Sequence, residues 1–157
     1  MKFPDVYQID RSTISIGRII PDTKRRVSWR FGYVNTEAIA SGQYGAYCRG
    51  QEHEVVFVWS ILSKKRLVLI DEREIHFSQG DSIDGKITIS WKTRHGQSMA
   101  IIAHAAQPLK AKPGWEQFDF KIDGKSFSTF TKIYELGIHQ GHKKKLKHHE
   151  ESCDCSL

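Results

Sequence analysis

Cys48, His53 and Glu54 place a thiol, an imidazole and a carboxylate close together in the chain, the set a nucleophilic enzyme needs. The apolar run Val55-Val56-Phe57-Val58-Trp59 makes this stretch a strand, in which successive side chains point to opposite faces. His53 and Glu54 then diverge, the triad does not assemble, and Cys48 reads as a buried structural thiol. Carboxylate pairs of the glycosidase kind would come from Asp71, Glu72, Glu74, Asp81, Asp84, Asp119 and Asp123. Those residues fall in turns or on the wet side of strands, where solvation accounts for them. Gly124-Lys125-Ser126 resembles the end of a phosphate loop but lacks the upstream Gly and belongs to a hairpin rather than to a helix start. The sequence therefore predicts neither catalytic residues nor a cofactor.

Metal chemistry has candidates in the tail: His139, His142, His148, His149, Cys153 and Cys155. Structural zinc sites use spacings such as Cys-x-x-Cys, and Cys153-Asp154-Cys155 is one residue short. His53, His76, His95 and His104 are scattered over strands and one turn, so no metal site is expected. Basic residues form two clusters, Lys24-Arg25-Arg26 and Lys64-Lys65-Arg66. If these adjoin, Arg25, Arg26, Lys64, Lys65 and Arg66 make a patch for acidic protein segments or anionic headgroups. The competing reading is that lysines at strand ends deter sheet-to-sheet aggregation. The run Lys143-Lys144-Lys145-Leu146-Lys147 is diluted by Glu150, Glu151 and Asp154 and reads as a charged tail. Aromatic residues do not interleave with the basic clusters as single-strand binding prefers, so a nucleic-acid partner is not expected.

The elements that must position these residues follow from composition and period. The chain has 157 residues, 39% hydrophobic and 27% charged, which is enough apolar material for one core. No stretch approaches the roughly 20 apolar residues that span a bilayer, and Met1–Asp5 opens no secretory signal. With 3 Cys a disulfide framework is excluded, and a cytoplasmic protein is expected. Residues 1–32 hold seven Lys/Arg against three Asp/Glu, whereas residues 33–137 are nearly balanced. The basic excess therefore belongs to the N-terminal segment rather than to a folded phosphate-binding face.

Residues 1–20 read as an extended arm or edge strand, 21–137 as the domain, and 138–157 as a disordered His/Lys-rich tail. Within the domain the period is two. Ile87-Thr88-Ile89-Ser90-Trp91-Lys92 and Phe118-Asp119-Phe120-Lys121-Ile122-Asp123 alternate apolar and polar residues, as antiparallel strands wet on one side do. Val55–Trp59 and Leu67–Ile70 read as central strands covered on both faces, and Met99–Ala106 as a strand or brief helix. Asp123-Gly124 predicts a type I′ hairpin and His95-Gly96 a second one. Strands at this spacing predict an all-β fold, a single antiparallel β-sandwich with no internal repeat.

The segment from His53 through Ser63-Lys64-Lys65-Arg66 to Asp71-Glu72-Arg73-Glu74-Ile75 resembles the opening of a Fas apoptotic inhibitory molecule (FAIM) domain. In that family a strand beginning with His runs into a Ser-Gly-Lys-Arg hairpin, and the next ends in an Asp-Gly turn. Phe118-Asp119-Phe120-Lys121-Ile122-Asp123-Gly124-Lys125-Ser126-Phe127 is similar to the family's second signature. The resemblance covers about residues 50–130. Arg25–Gly32 and Cys48–His53 also resemble parts of a wider, algal and protist group carrying such a domain. Lys64 and Glu72 stand where the family has Gly. Either these turns change type or they hold a left-handed residue at about 1 kcal/mol each. The resemblance implies a compact β-sandwich that binds other proteins, in a family that in animals opposes death-receptor signalling and protein aggregation.

The expected function is thus a non-catalytic interaction module presenting loops or a sheet edge to another protein, by β-augmentation if the edge is the site. The alternatives are a carbohydrate- or small-ligand-binding sandwich using Trp115 or Trp91, and a structural subunit of a larger assembly.

Overall fold

The computed structural model describes residues 2–16 and 23–138. The expected tail and the end of the expected arm lie outside the described residues. The chain is all-β, with ten strands, one short α-helix and three single-turn 3₁₀ helices among the described residues. The strands are β1 (Val6–Ser15), β2 (Lys24–Val34), β3 (Arg49–Ser60), β4 (Lys65–Ile70) and β5 (Arg73–Gln79), followed by β6 (Lys86–Lys92), β7 (Ser98–His104), β8 (Phe118–Ile122), β9 (Lys125–Ser126) and β10 (Thr131–Lys132). They form two sheets, ordered β10-β1-β2-β3-β4-β5 and β6-β7-β8-β9. Residues 6–15 are therefore a strand with a neighbour on either side rather than a free arm. Met99–Ala106 resolves as strand β7, because Met99, Ile101 and Ala103 alternate into the core. No helix among the described residues is long and apolar enough to cross a membrane.

Contacts divide the chain into two compact units, one of residues 1–9, 31–52 and 131–157, the other of residues 10–30 and 53–130. The division falls within β1, β2 and β3, so each contributes to both units.

In the smaller unit Tyr7, Val34, Ala38, Cys48 and Leu136 form a buried cluster, with Ile9, Ile39 and Ile133 packed against it. Tyr7 pairs with Thr131 in the parallel β1–β10 ladder. A Cβ at Gly32 would overlap the Tyr7 ring, so only Gly lets that ring lie on the β2 backbone. The helix α1 (Thr36–Ala40) starts where the Asn35 side chain accepts the Ala38 N–H at 3.2 Å.

The larger unit is a sandwich. Val27, Trp29, Val55, Phe57, Trp59 and Val68 of one sheet are buried, as are Ile87, Ile89, Met99, Ile101, Phe118 and Phe120 of the other. The Trp29 and Phe120 rings meet at 5.6 Å and those of Phe57 and Phe118 at 6.4 Å. Hiding these aromatic and branched side chains from water is the main term holding the layers together. Trp91 stacks on Phe120 at 6.3 Å, facing inward as its phase predicts.

The hairpin turns keep left-handed residues wherever the pairing requires them. Asp123 (φ 51°) and Gly124 (φ 79°) make the expected type I′ turn. Asp71 (φ 48°) and Glu72 (φ 70°) make the same turn without Gly, and Lys64 holds φ 61°. The Asp71-Glu72 turn thus takes the geometry of the Asp123-Gly124 turn at the cost of a side chain in the left-handed region.

Candidate functional site

The groups with catalytic potential are occupied by structure. The Cys48 thiol is buried and donates to Gln43 O at 3.2 Å, and burial pushes its pKa up, away from the reactive thiolate. His53 Nδ1 lies 2.6 Å from Asp71 Oδ2, and the Glu54 backbone N–H donates to Asp71 Oδ1. His76 Nε2 meets Ser78 Oγ at 2.9 Å, and the His104 ring lies 5.1 Å from that of Trp115. No group of His, Cys, Asp and Glu side chains able to hold a metal ion occurs among the described residues. Glu116, which the sequence reading passed over, is a partly buried carboxyl. Burial raises its pKa, Arg11 opposes the rise, and Asp119 adds to it. In the smaller unit the Tyr7 hydroxyl finds no partner in hydrogen-bonding geometry; burial and Glu52 push its pKa up, and Arg49 opposes them.

The two basic clusters reach the same end of the sheet, since Ile61 N, just past β3, donates to Thr23 O, just before β2. Their side chains are largely committed internally. Arg25 donates to Ser15 Oγ at 2.6 Å, Lys64 pairs with Asp81, and Arg66 donates to the carbonyls of Gly80 and Asp81. Lys64 also holds the Asp81 carboxyl below its usual range. Arg26 and Lys65 remain exposed at strand ends. The patch is therefore a braced corner of the sheet with two outward cations.

The more distinctive surface comes from a repeated device. In the first of two three-strand meanders, β3-β4-β5, the turn residue Asp71 donates its N–H to Glu54 O and accepts Glu54 N on Oδ1, while Oδ2 meets His53. In the second, β7-β8-β9, Asp123 donates its N–H to Ser98 O and accepts Ser98 N on Oδ1, while Oδ2 meets Gln97. The same clamp is thus built twice, although no repeat was expected from the sequence.

Superposing the two clamps pairs the registers residue for residue: Val56↔Leu69 and Val58↔Leu67 correspond to Ala100↔Lys121 and Ile102↔Asp119. These are the outward-facing positions, because Phe57, Val68, Ile101 and Phe120 between them are fully buried. The second meander presents the polar mixture that a wet face requires. The first has buried Val56 and half-buried Val58, Leu67 and Leu69 there, so β3 is covered on both faces at Val56 as expected. Apolar residues on both faces led to the expectation that β4 is covered on both sides. Among its side chains only Val68 is fully buried, and Leu67, Leu69 and Ile70 are half-buried.

Beyond β4 lies β5, the edge of the sheet. Gly80 N donates to Lys64 O, which sets the phase of the β4–β5 ladder. By antiparallel alternation Ser78 and His76 turn their backbone groups towards β4, while Phe77 and Gln79 turn theirs to the open side. Phe77 is 57% exposed and Ile75 41%. A bulge sets in after Val68, and Ile75 is its extra residue. The sequence reading left β5 as the space between a turn and a loop, because two apolar residues in a polar stretch make a weak pattern. The Ile75-His76-Phe77 alternation was the available signal.

Compared with protein-family models, with curated proteins and with solved structures, the chain matches none.

Proposed function

We propose that this protein is a non-catalytic interaction module of the cytoplasm that captures an extended segment of a protein partner along the open edge of β5. The carrying observation is that edge itself: seven residues of strand with Phe77 and Ile75 exposed beside half-buried Leu67 and Leu69. A strand added there satisfies outward backbone groups and hides apolar side chains together, the two sources of affinity in β-augmentation. The resemblance of residues 50–130 to the FAIM domain supports a protein partner, and with it a role in death-receptor signalling or in restraining aggregation. The commitment of Cys48 and of the turn carboxylates to structural bonds supports a non-catalytic role.

The test is a display library of random extended peptides selected on the wild-type chain and measured against Phe77→Pro. Phe77 turns its N–H to the open side, so Pro there removes a donor the partner needs while sparing the β4 ladder. Enriched peptides with alternating apolar residues that lose at least tenfold affinity for Phe77→Pro support the reading. Peptides that bind both proteins equally overturn it, provided circular dichroism finds both folded.

A further inference from the structure

We propose that one end of the larger unit, where the β3–β4 hairpin meets the β5–β6 and β7–β8 loops, docks on a membrane surface carrying anionic lipid. Three connections gather there. Residues 61–64 join β3 to β4, residues 80–85 join β5 to β6 across the two sheets, and residues 105–117 join β7 to β8. Gly80 N donates to Lys64 O at 3.1 Å and Ala105 N to Gly85 O at 2.8 Å, which ties each connection to the next. The pairing of Lys86 with His104 sets the last two at one end of the β6–β7 ladder. Each connection leaves one large apolar side chain in water: Leu62 is 66% exposed, Ile83 82% and Leu109 completely.

The turns are braced around these side chains. Ile83 and Lys86 exchange both backbone hydrogen bonds around Asp84 and Gly85, each at positive φ. Gln79 Nε2 donates to Ser63 O at 2.8 Å, next to Leu62. At the base of the longest connection His104 N donates to Gln117 O, and the His104 ring lies against Trp115. Three apolar tips held in water at one end mark a surface that meets apolar material.

The second support is charge. Thr23 O accepts Ile61 N, so residues 23–26 join 61–66, 80–86 and 105–116 at this end, and together these hold nine Lys/Arg against three Asp/Glu. Lys64 and Arg66 are engaged with Asp81 and the neighbouring carbonyls, whereas Lys65, Lys86, Lys110 and Lys112 are exposed. At the opposite end of the same strands the turns 71–72, 93–97 and 123–124 hold three acids, one Arg and no large apolar residue. Tip and cation also adjoin along each connection. Lys64 follows Leu62 by two residues, Lys86 follows Ile83 by three, and Lys110 follows Leu109 directly. That is the layout of an interfacial anchor, with apolar side chains below the headgroups and cations level with the phosphates. An acidic protein segment would use the cations and leave three separate tips in water.

The test is cosedimentation of the full chain with vesicles of phosphatidylcholine, alone or with about 30% phosphatidylserine. Binding to the anionic vesicles should fall at least about tenfold for Leu109→Ser/Ile83→Ser, for Lys110→Glu/Lys112→Glu and without phosphatidylserine, with unchanged circular dichroism. The basic run Lys143–Lys147 is intact in these variants, so binding that they retain in full belongs to the tail and overturns the proposal. In a Cys153→Ser/Cys155→Ser background, an environment-sensitive dye on Leu109→Cys should shift to the blue on the vesicles. The same dye on His95→Cys, at the opposite end, should not; a shift at His95→Cys alone overturns the proposal. A chain that leaves anionic vesicles unbound also overturns it, and capture of polyglutamate instead would identify an acidic protein segment. Phe77→Pro should leave vesicle binding unchanged; a loss there would move the lipid contact to the β5 edge and overturn this assignment.

Discussion

The meanders β3-β4-β5 and β7-β8-β9 share a clamp and differ in what surrounds it. Each turns on an Asp with positive φ that exchanges backbone and side-chain bonds with two successive residues, His53-Glu54 within β3 or Gln97-Ser98 at the start of β7. In the second meander the next turn residue is Gly124, the third partner is buried Gln97, and β9 stops after two residues. In the first they are Glu72, His53 and a seven-residue β5. The second is thus the version that folding alone would choose: an unstrained turn, a neutral buried amide, a polar exterior and a short edge that deters pairing. The first accepts strain in its turn and keeps an apolar exterior beside a long edge. The clamp holds the shape in each, so the two meanders differ in what surrounds it rather than in how they turn.

Removing the clamp carboxylates tests this contrast most severely. Asp123→Ala removes the carboxylate that accepts from buried Gln97 Nε2 and from Ser98 N–H and should cost about 2–3 kcal/mol in chemical denaturation. Asp71→Ala, at a half-exposed carboxylate, should cost about 1 kcal/mol. Equal losses would mean that the clamps are energetically alike and would break the comparison.

Exchanging the turn residues sharpens it. Glu72→Gly should raise stability by about 1 kcal/mol and Gly124→Glu lower it by a similar amount, since each position holds positive φ. A Glu72→Gly variant no more stable than wild type would show that the first turn stores no strain.

The smallest effect lies just before β8, the middle strand of the second meander. Glu116 is an acid whose folded pKa is raised by burial. Its charged form is disfavoured in the folded state, so stability is full below the unfolded pKa and declines as pH rises through the folded value. Glu116→Gln should therefore gain less than about 1 kcal/mol at neutral pH. Thermal melts across the pH range should find that gain vanishing below the ordinary carboxylate range; a gain that persists in acid would assign it to packing instead.

Much of the larger unit was legible in the chain because its signals are local. Period-two alternation placed β6 and β8, and Asp123-Gly124 fixed the hairpin from β8 to β9. The phase of Trp91 told which way it points. What escaped was non-local. The pairing of β1 with β10 depends on a residue such as Tyr7 finding Thr131, and no window of sequence carries that. The repeated clamp escaped because it resides in turn geometry and backbone bonds, which Asp71-Glu72-Arg73 and Asp123-Gly124-Lys125 satisfy with one residue type in common. Leu67 and Leu69 misled for a physical reason. An apolar residue on an outer face reads as covered, and the sequence has no means of saying that its face of the sheet is left half open.

The smaller unit is gathered from the first residues, the middle and residues after 130. On a ribosome, β1 emerges long before its parallel neighbour β10. The Tyr7 ring must therefore wait for Thr131 before its surroundings close, and contacts so distant in sequence form slowly. Throughout that interval the aromatic side chain is unsheltered, a window in which a chaperone has something to hold.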